Sequence, residues 1–169
     1  MAGRYQELAQ RFYENRLLFG DPAERGIVAV EIASATEVEI FRRSAGNLTR
    51  ERRPMRLFVL LDHQTHLHGF KGALEVRKLD GDFRFCHLIT LASGDVLEAL
   101  KRHLRNTTGQ APNAPDAPYL VLADPIEQHL MLTGTTYFTG LEFSDLVRVQ
   151  LDIETYVTPG FEFPSPARS

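Results

Sequence analysis

The segment Met55-Arg56-Leu57-Phe58-Val59-Leu60-Leu61 constrains the fold most. Every residue in it except Arg56 is apolar. Successive side chains of a strand point to opposite faces, so a strand this apolar has to be covered on both sides. The segment therefore belongs in the interior of a sheet. Period-two patterns recur around it. Ile27 to Ile32 and Glu37 to Arg42 read as strands joined across Ala33-Ser34-Ala35-Thr36, one sheet with the 55–61 strand. Ala73 to Leu79 and Asp82 to Leu91 read as a hairpin turning at Asp80-Gly81. Its second strand puts Phe83, Phe85, Ile89 and Leu91 on one face, with His87 as a hydrogen-bonded, half-buried residue among them. Alternation assigns Phe41 and Phe58 to the core; stacking on bases is the alternative if they are exposed.

Three stretches carry helical signals. Tyr5, Leu8, Phe12 and Asn15 follow helical spacing over residues 3–18, which Gly20 and Pro22 end. In Asp95 to Arg105, Asp95 and Glu98 have capping-box spacing, and Val96, Leu97, Leu100 and Leu104 form an apolar stripe. The third helix starts at Asp124-Pro125-Ile126-Glu127 and closes at Gly134. The expected fold class is α+β, a mostly antiparallel sheet with flanking helices. Residues 106–118 (NTTGQAPNAPDAP) hold three prolines and no large apolar side chain, and mark the boundary between units. The expected organisation is an N-terminal helix (1–20), an α+β domain (21–109), a linker and connector helix (110–145) and the start of a further domain (146–169).

Apolar and charged fractions of 43% and 24% exclude a disordered, collagenous or coiled-coil chain. No apolar run approaches the roughly 20 residues of a membrane helix, and the charged N-terminus lacks a signal-peptide core, so no membrane partner is expected. The single cysteine, Cys86, allows no internal disulfide and fits a reducing, cytoplasmic setting.

Charge is concentrated in one place. Residues 42–56 contain Arg42, Arg43, Arg50, Arg52, Arg53 and Arg56 against Glu51 alone. This segment carries +5 in a chain of net charge −3. Such a cluster either grips phosphates bidentately or is a solvated hairpin. His63, His66 and His68 crowd beside Asp62. Alternation would put His66 and His68 on one side, either as a Zn²⁺ or Ni²⁺ pair or as part of a polar loop. No G-x-S-x-G or phosphate-loop pattern occurs.

At the C-terminal end Val147, Val149, Leu151, Ile153, Thr155 and Val157 alternate with Arg148, Gln150, Asp152, Glu154 and Tyr156. As a strand, 147–157 would present Asp152 and Glu154 on one face. Paired carboxylates of this kind suit Mg²⁺ or Mn²⁺, or simply face solvent.

The segment from Tyr119 to Thr155 resembles the approach to the exonuclease domain in family B DNA polymerases of the prokaryotic type. The matching points are Asp124-Pro125, Glu127-Gln128, Leu130, Thr133-Gly134, Phe138, Gly140, Phe143, Asp145-Leu146 and Gln150. Asp152-Ile153-Glu154-Thr155 follows as the first exonuclease motif, D-I-E-T. Upstream, LLFG, IVAVE, EIFRR and RLFVLLD resemble the N-terminal domain of those enzymes. The resemblance implies that 147–157 is the first strand of a ribonuclease-H-like 3′–5′ exonuclease domain. Asp152 and Glu154 would then be catalytic metal ligands for Mg²⁺ or Mn²⁺ in the intact enzyme. Later exonuclease motifs and the polymerase D-T-D would follow Ser169, so this chain alone is expected to bind no metal and to catalyse nothing. The implied partner is DNA, contacted on the single-stranded template side by Arg42, Arg43, Arg50, Arg52, Arg53 and Arg56. With its sheet incomplete, strand 147–157 is expected to pair with a second copy, forming a homodimer, or to fold back onto the 27–61 sheet. The alternative function is a stand-alone, non-enzymatic α+β module for single-stranded nucleic acid or a protein partner.

Overall fold

Two antiparallel sheets and two α-helices organise the residues that the computed structural model describes, 14–147 and 149–152. The first sheet is a meander of β1 (Ile27–Ile32), β2 (Glu37–Ser44) and β3 (Asn47–Pro54). The second contains β4 (Leu57–Leu61), β5 (Glu75–Lys78), β6 (His87–Leu91) and β7 (Tyr119–Leu120), in the order β5-β6-β4-β7. Helix α1 spans Gly94–Thr108 and α2 spans Pro125–Thr133.

The 55–61 segment behaves as its composition requires. All five residues of β4 are buried. Leu57, Val59 and Leu61 join a core with Leu97, Leu100 and Leu104 of α1 and with Ile27, Val30, Val38 and Ile40 of the first sheet. Phe58 and Leu60 face a second cluster with Leu18, Leu79 and Leu88, flanked by Met131 and Leu132 of α2. The chain does not, however, place β4 in the same sheet as β1 and β2. Strand β3 is exposed along almost its whole length and takes the edge position, and it ends at Pro54, which has no N–H to continue a ladder. The chain then crosses Met55 and Arg56 into the second sheet.

Other local expectations shift by a few residues. Ser93 caps α1, its hydroxyl accepting from Val96 N at 3.3 Å, while Asp95 lies within the first turn. The β5–β6 hairpin closes through a loop from Leu79 to Cys86, whose N–H and C=O meet at 2.7 Å, so Phe83 and Phe85 lie in the loop and pack on the second cluster. Helix α2 is capped as the sequence indicates. Asp124 accepts from Ile126 N at 2.8 Å, Pro125 stands in the first turn, and Gly134 adopts φ +68° at the C-terminus.

The proline-rich stretch is stitched to the second sheet. Asn113 brackets Val121 with two hydrogen bonds, Nδ2 to O at 2.7 Å and N to Oδ1 at 2.8 Å. Tyr119 Oη donates to Gln110 O at 2.7 Å, and Arg84 donates to the carbonyls of Pro115 and Ala117. Of the expected N-terminal helix, residues 14–19 form turns and the earlier part lies outside the described residues.

The expected strand over 147–157 does not form in its described part. Residues 147 and 149–152 have no regular structure, and Val147, Val149 and Leu151 are 72%, 77% and 85% exposed. A strand needs a neighbour to satisfy its ladder groups, and no described strand lies alongside these residues. Residues 153–157 lie outside the described part. No described helix is long and apolar enough to cross a membrane.

Candidate nucleic-acid interface

Strand parity divides the arginine cluster. Val38 and Ile40 of β2 point into the core, so Arg42 shares their face. The β2–β3 register pairs Val38 with Arg53, Ile40 with Glu51 and Arg42 with Thr49, placing Arg53 and Glu51 on that side too. There Glu24, arriving ahead of β1, accepts hydrogen bonds from both Arg42 and Arg53, and Glu51 accepts from Arg53. The Arg53 hydrogen bond, reinforced by Arg42, holds the Glu24 carboxyl below its ordinary range despite partial burial. The same bond raises Arg53. These two arginines are structural anchors of the hairpin.

The opposite face is open. On it Phe41 lies across from Arg50, Glu39 across from Arg52 and Arg43 across from Leu48. Phe41 is half-buried and outside both core clusters, whereas Phe58 is fully buried. Phe41 therefore lies on the open face, contrary to the core position that alternation gave it, because the parity of β2 is set by Val38 and Ile40. Arg52 approaches Glu39 at 3.7 Å with its side chain 62% exposed, a loose pair. Arg43 and Arg50 make no ion pair with a described residue, and neither does Arg56 in the β3–β4 connection. The six arginines thus include two that are held, one loosely paired and three that keep their charge available. Counter-charges at Glu24 and Glu39 lie outside the 42–56 segment.

Arg56 has a second role through its backbone. Its N–H donates to His129 Nδ1 at 3.1 Å, next to the Phe58 N–H that donates to Gln128 Oε1 at 2.8 Å. His129 is 2% exposed and its Nε2 is buried with no hydrogen-bond partner among the described residues. Burial, then the nearby Arg56 and Arg53, lowers its pKa.

The histidine cluster lies on a polar turn. His63 caps a 3-10 turn at Gln64–Leu67, which breaks the alternation between His66 and His68. His66 Nε2 instead lies 3.1 Å from Asp62 Oδ1. His87 is half-buried with Nδ1 3.2 Å from Asp62 O, as expected of a hydrogen-bonded histidine. Among the described residues no three His, Cys, Asp or Glu side chains come together as a metal site. Asp152 is exposed on irregular chain, and Glu154 lies outside the described residues. The described residues therefore do not assemble a site for Mg²⁺ or Mn²⁺.

Comparison with protein-family models, with curated proteins and with solved structures yields no match.

Proposed function

We propose that this chain is the N-terminal part of a family B DNA polymerase and that the open face of its first sheet binds single-stranded template DNA. The sequence pattern from Asp124-Pro125 to the D-I-E-T motif supports the family assignment. The observation that carries the binding role is the position of Phe41, on a solvent-facing sheet surface among Arg43, Arg50 and Arg52. An aromatic ring offers a stacking surface to any base, and guanidinium groups around it meet the phosphates, so binding is indifferent to sequence and sensitive to salt. On this proposal Asp152 and Glu154 act only within an intact exonuclease domain, where further carboxylates complete a two-metal site. The isolated chain degrades and extends no DNA.

Fluorescence anisotropy with a labelled oligothymidylate tests the binding role. Loss of one stacked base is worth about 1–3 kcal/mol, so Phe41→Ala should weaken binding about 5- to 150-fold. The double change Arg50→Glu with Arg52→Glu should abolish it. Unchanged affinity in both variants refutes the open-face site. The coding DNA beyond Ser169 tests the family assignment separately, and a stop codon directly after Ser169 in the natural gene overturns it.

A further inference from the structure

The turn end of the β2–β3 hairpin borders a polar cleft of about 360 Å³, whose lining includes Arg25, Arg42, Arg43, Gly46, Gly140 and Asp145. Main-chain bonds fix its walls. Arg43 N donates to Gly26 O at 2.7 Å, Gly26 N to Thr139 O at 2.8 Å and Phe138 N to Ile27 O at 2.8 Å. Two glycines at φ +74° make the close approach possible. A Cβ on Gly26 would lie 2.5 Å from Arg43 O, and one on Gly140 would lie 3.1 Å from Arg25 Cδ. The stem of Arg25 thus rests in the space that Gly140 leaves empty.

The charges of this cleft are unbalanced. Arg42 is engaged with Glu24 and with the carbonyl of Arg25, so it serves as a wall that fixes the backbone of Arg25. Arg25 and Arg43 line the same concavity, and neither makes an ion pair with a described residue. The one carboxylate of the lining, Asp145, accepts from Glu142 N at 2.9 Å and so belongs to its own turn. Two like charges converging on one cleft repel, and an oxyanion between them removes that repulsion. Guanidinium groups match the planar edges of a phosphate bidentately.

We propose that this cleft is a phosphate-binding site with Arg25 and Arg43 as its ligands. Arg43 lies two residues along β2 from Phe41 on the same face, about 6.6 Å away. The phosphate is therefore taken to belong to the DNA strand whose base stacks on Phe41. That source rests on the proposed function, whereas the phosphate chemistry stands by itself.

Amide chemical shifts of Gly26, Gly46 and Gly140 in the ¹⁵N-labelled chain test the site. Three probes are titrated: inorganic phosphate against chloride at equal ionic strength, an oligothymidylate, and the same oligomer with uncharged methylphosphonate linkages. Phosphate and the charged oligomer should move the three amides, and the uncharged oligomer should not. Arg25→Gln should remove these shifts and leave the rest of the spectrum in place. Phe41→Ala should weaken the oligomer response and spare the phosphate response, so failure of the open-face site and failure of the cleft are separable. A response to phosphate alone supports the cleft but overturns the DNA strand as its source. No response to either charged probe, or responses that survive in Arg25→Gln, overturns the site.

Discussion

Replacing Gln128 tests how the second sheet is closed. Strand β7 pairs with β4 only at Leu60 and Leu61. Farther back on that edge, side chains of α2 take the place of a strand. Gln128 Oε1 accepts from Phe58 N at 2.8 Å, and its Nε2 donates to Leu122 O at 2.7 Å. The side chain is fully buried. Gln128→Ala leaves the buried Phe58 N–H and the half-buried Leu122 carbonyl without this partner. Each such group costs about 1–3 kcal/mol, so the variant should lose about 3 kcal/mol in all. For a chain near this size that is a fall in Tm of about 6–12 °C.

Gln128→Glu makes the test specific, because it keeps the acceptor for Phe58 and turns the second oxygen toward the Leu122 carbonyl. Protonated, that oxygen donates; ionised, it repels. The folded state therefore favours the protonated form and raises the carboxyl pKa above the unfolded value near 4.3. The deficit relative to the parent is smallest below that pH and grows as pH rises through the folded value. Urea unfolding of all three proteins from pH 4 to pH 7.5 measures this. A Gln128→Ala cost under about 1 kcal/mol, or a Gln128→Glu deficit that ignores pH, refutes the account.

His129 titrates in the opposite sense: its neutral form is favoured by burial and by Arg56 and Arg53, so its folded pKa lies below the unfolded value near 6.5. Stability should be full above that pH and decline as pH falls through it, and His129→Asn should flatten the decline in urea midpoints between pH 8 and pH 5. Glu24→Gln should destabilise the chain by about 1–2 kcal/mol, since two arginines lose a half-buried charged partner. The same change should tighten binding to single-stranded DNA in the anisotropy assay, because Glu24 no longer neutralises the charges of Arg42 and Arg53; weaker binding would contradict their role as anchors.

Elements with strong local signals were legible. Helix α2 announces itself through Asp124-Pro125 and Gly134, and β4 through its unbroken apolar run. The division into two sheets was not, because the apolar patterns of β1, β2 and β4 do not say which strands pair. The features that divide them are the polar character of β3 and Pro54 at its end. Residues 106–118 look like a boundary by composition, yet 106–108 complete α1, and Asn113, Gln110 and Pro115 are tied to Val121, Tyr119 and Arg84. Such bonds between a polar loop and a sheet leave no periodicity to find. Over 147–157 the period was clear and no strand formed at the described residues 147 and 149–152, since alternation states which side chains would share a face and cannot supply the neighbouring strand.

The arginine cluster shows the same limit for function. Counting charge within 42–56 finds only Glu51 as an opponent, while Glu39 comes from across the hairpin and Glu24 from before β1. Part of the sorting was available. Ala45-Gly46 makes a two-residue turn with Ser44 opposite Asn47, and that register alone sets Phe41 against Arg50 and Glu39 against Arg52. Arg25 carries no such signal, because only the fold brings it beside Arg43. The sorting has a measurable consequence. Each phosphate neutralised on a single strand contributes about −0.7 to the slope of log affinity against log salt. Arg25, Arg43, Arg50, Arg52 and Arg56 together give a slope of about −3.5, whereas adding Arg42 and Arg53 gives about −5. A slope near −5 in the parent chain would mean that Glu24 releases its arginines to DNA. A slope near −3.5 that steepens in Glu24→Gln would mean that the fold holds part of its charge in reserve.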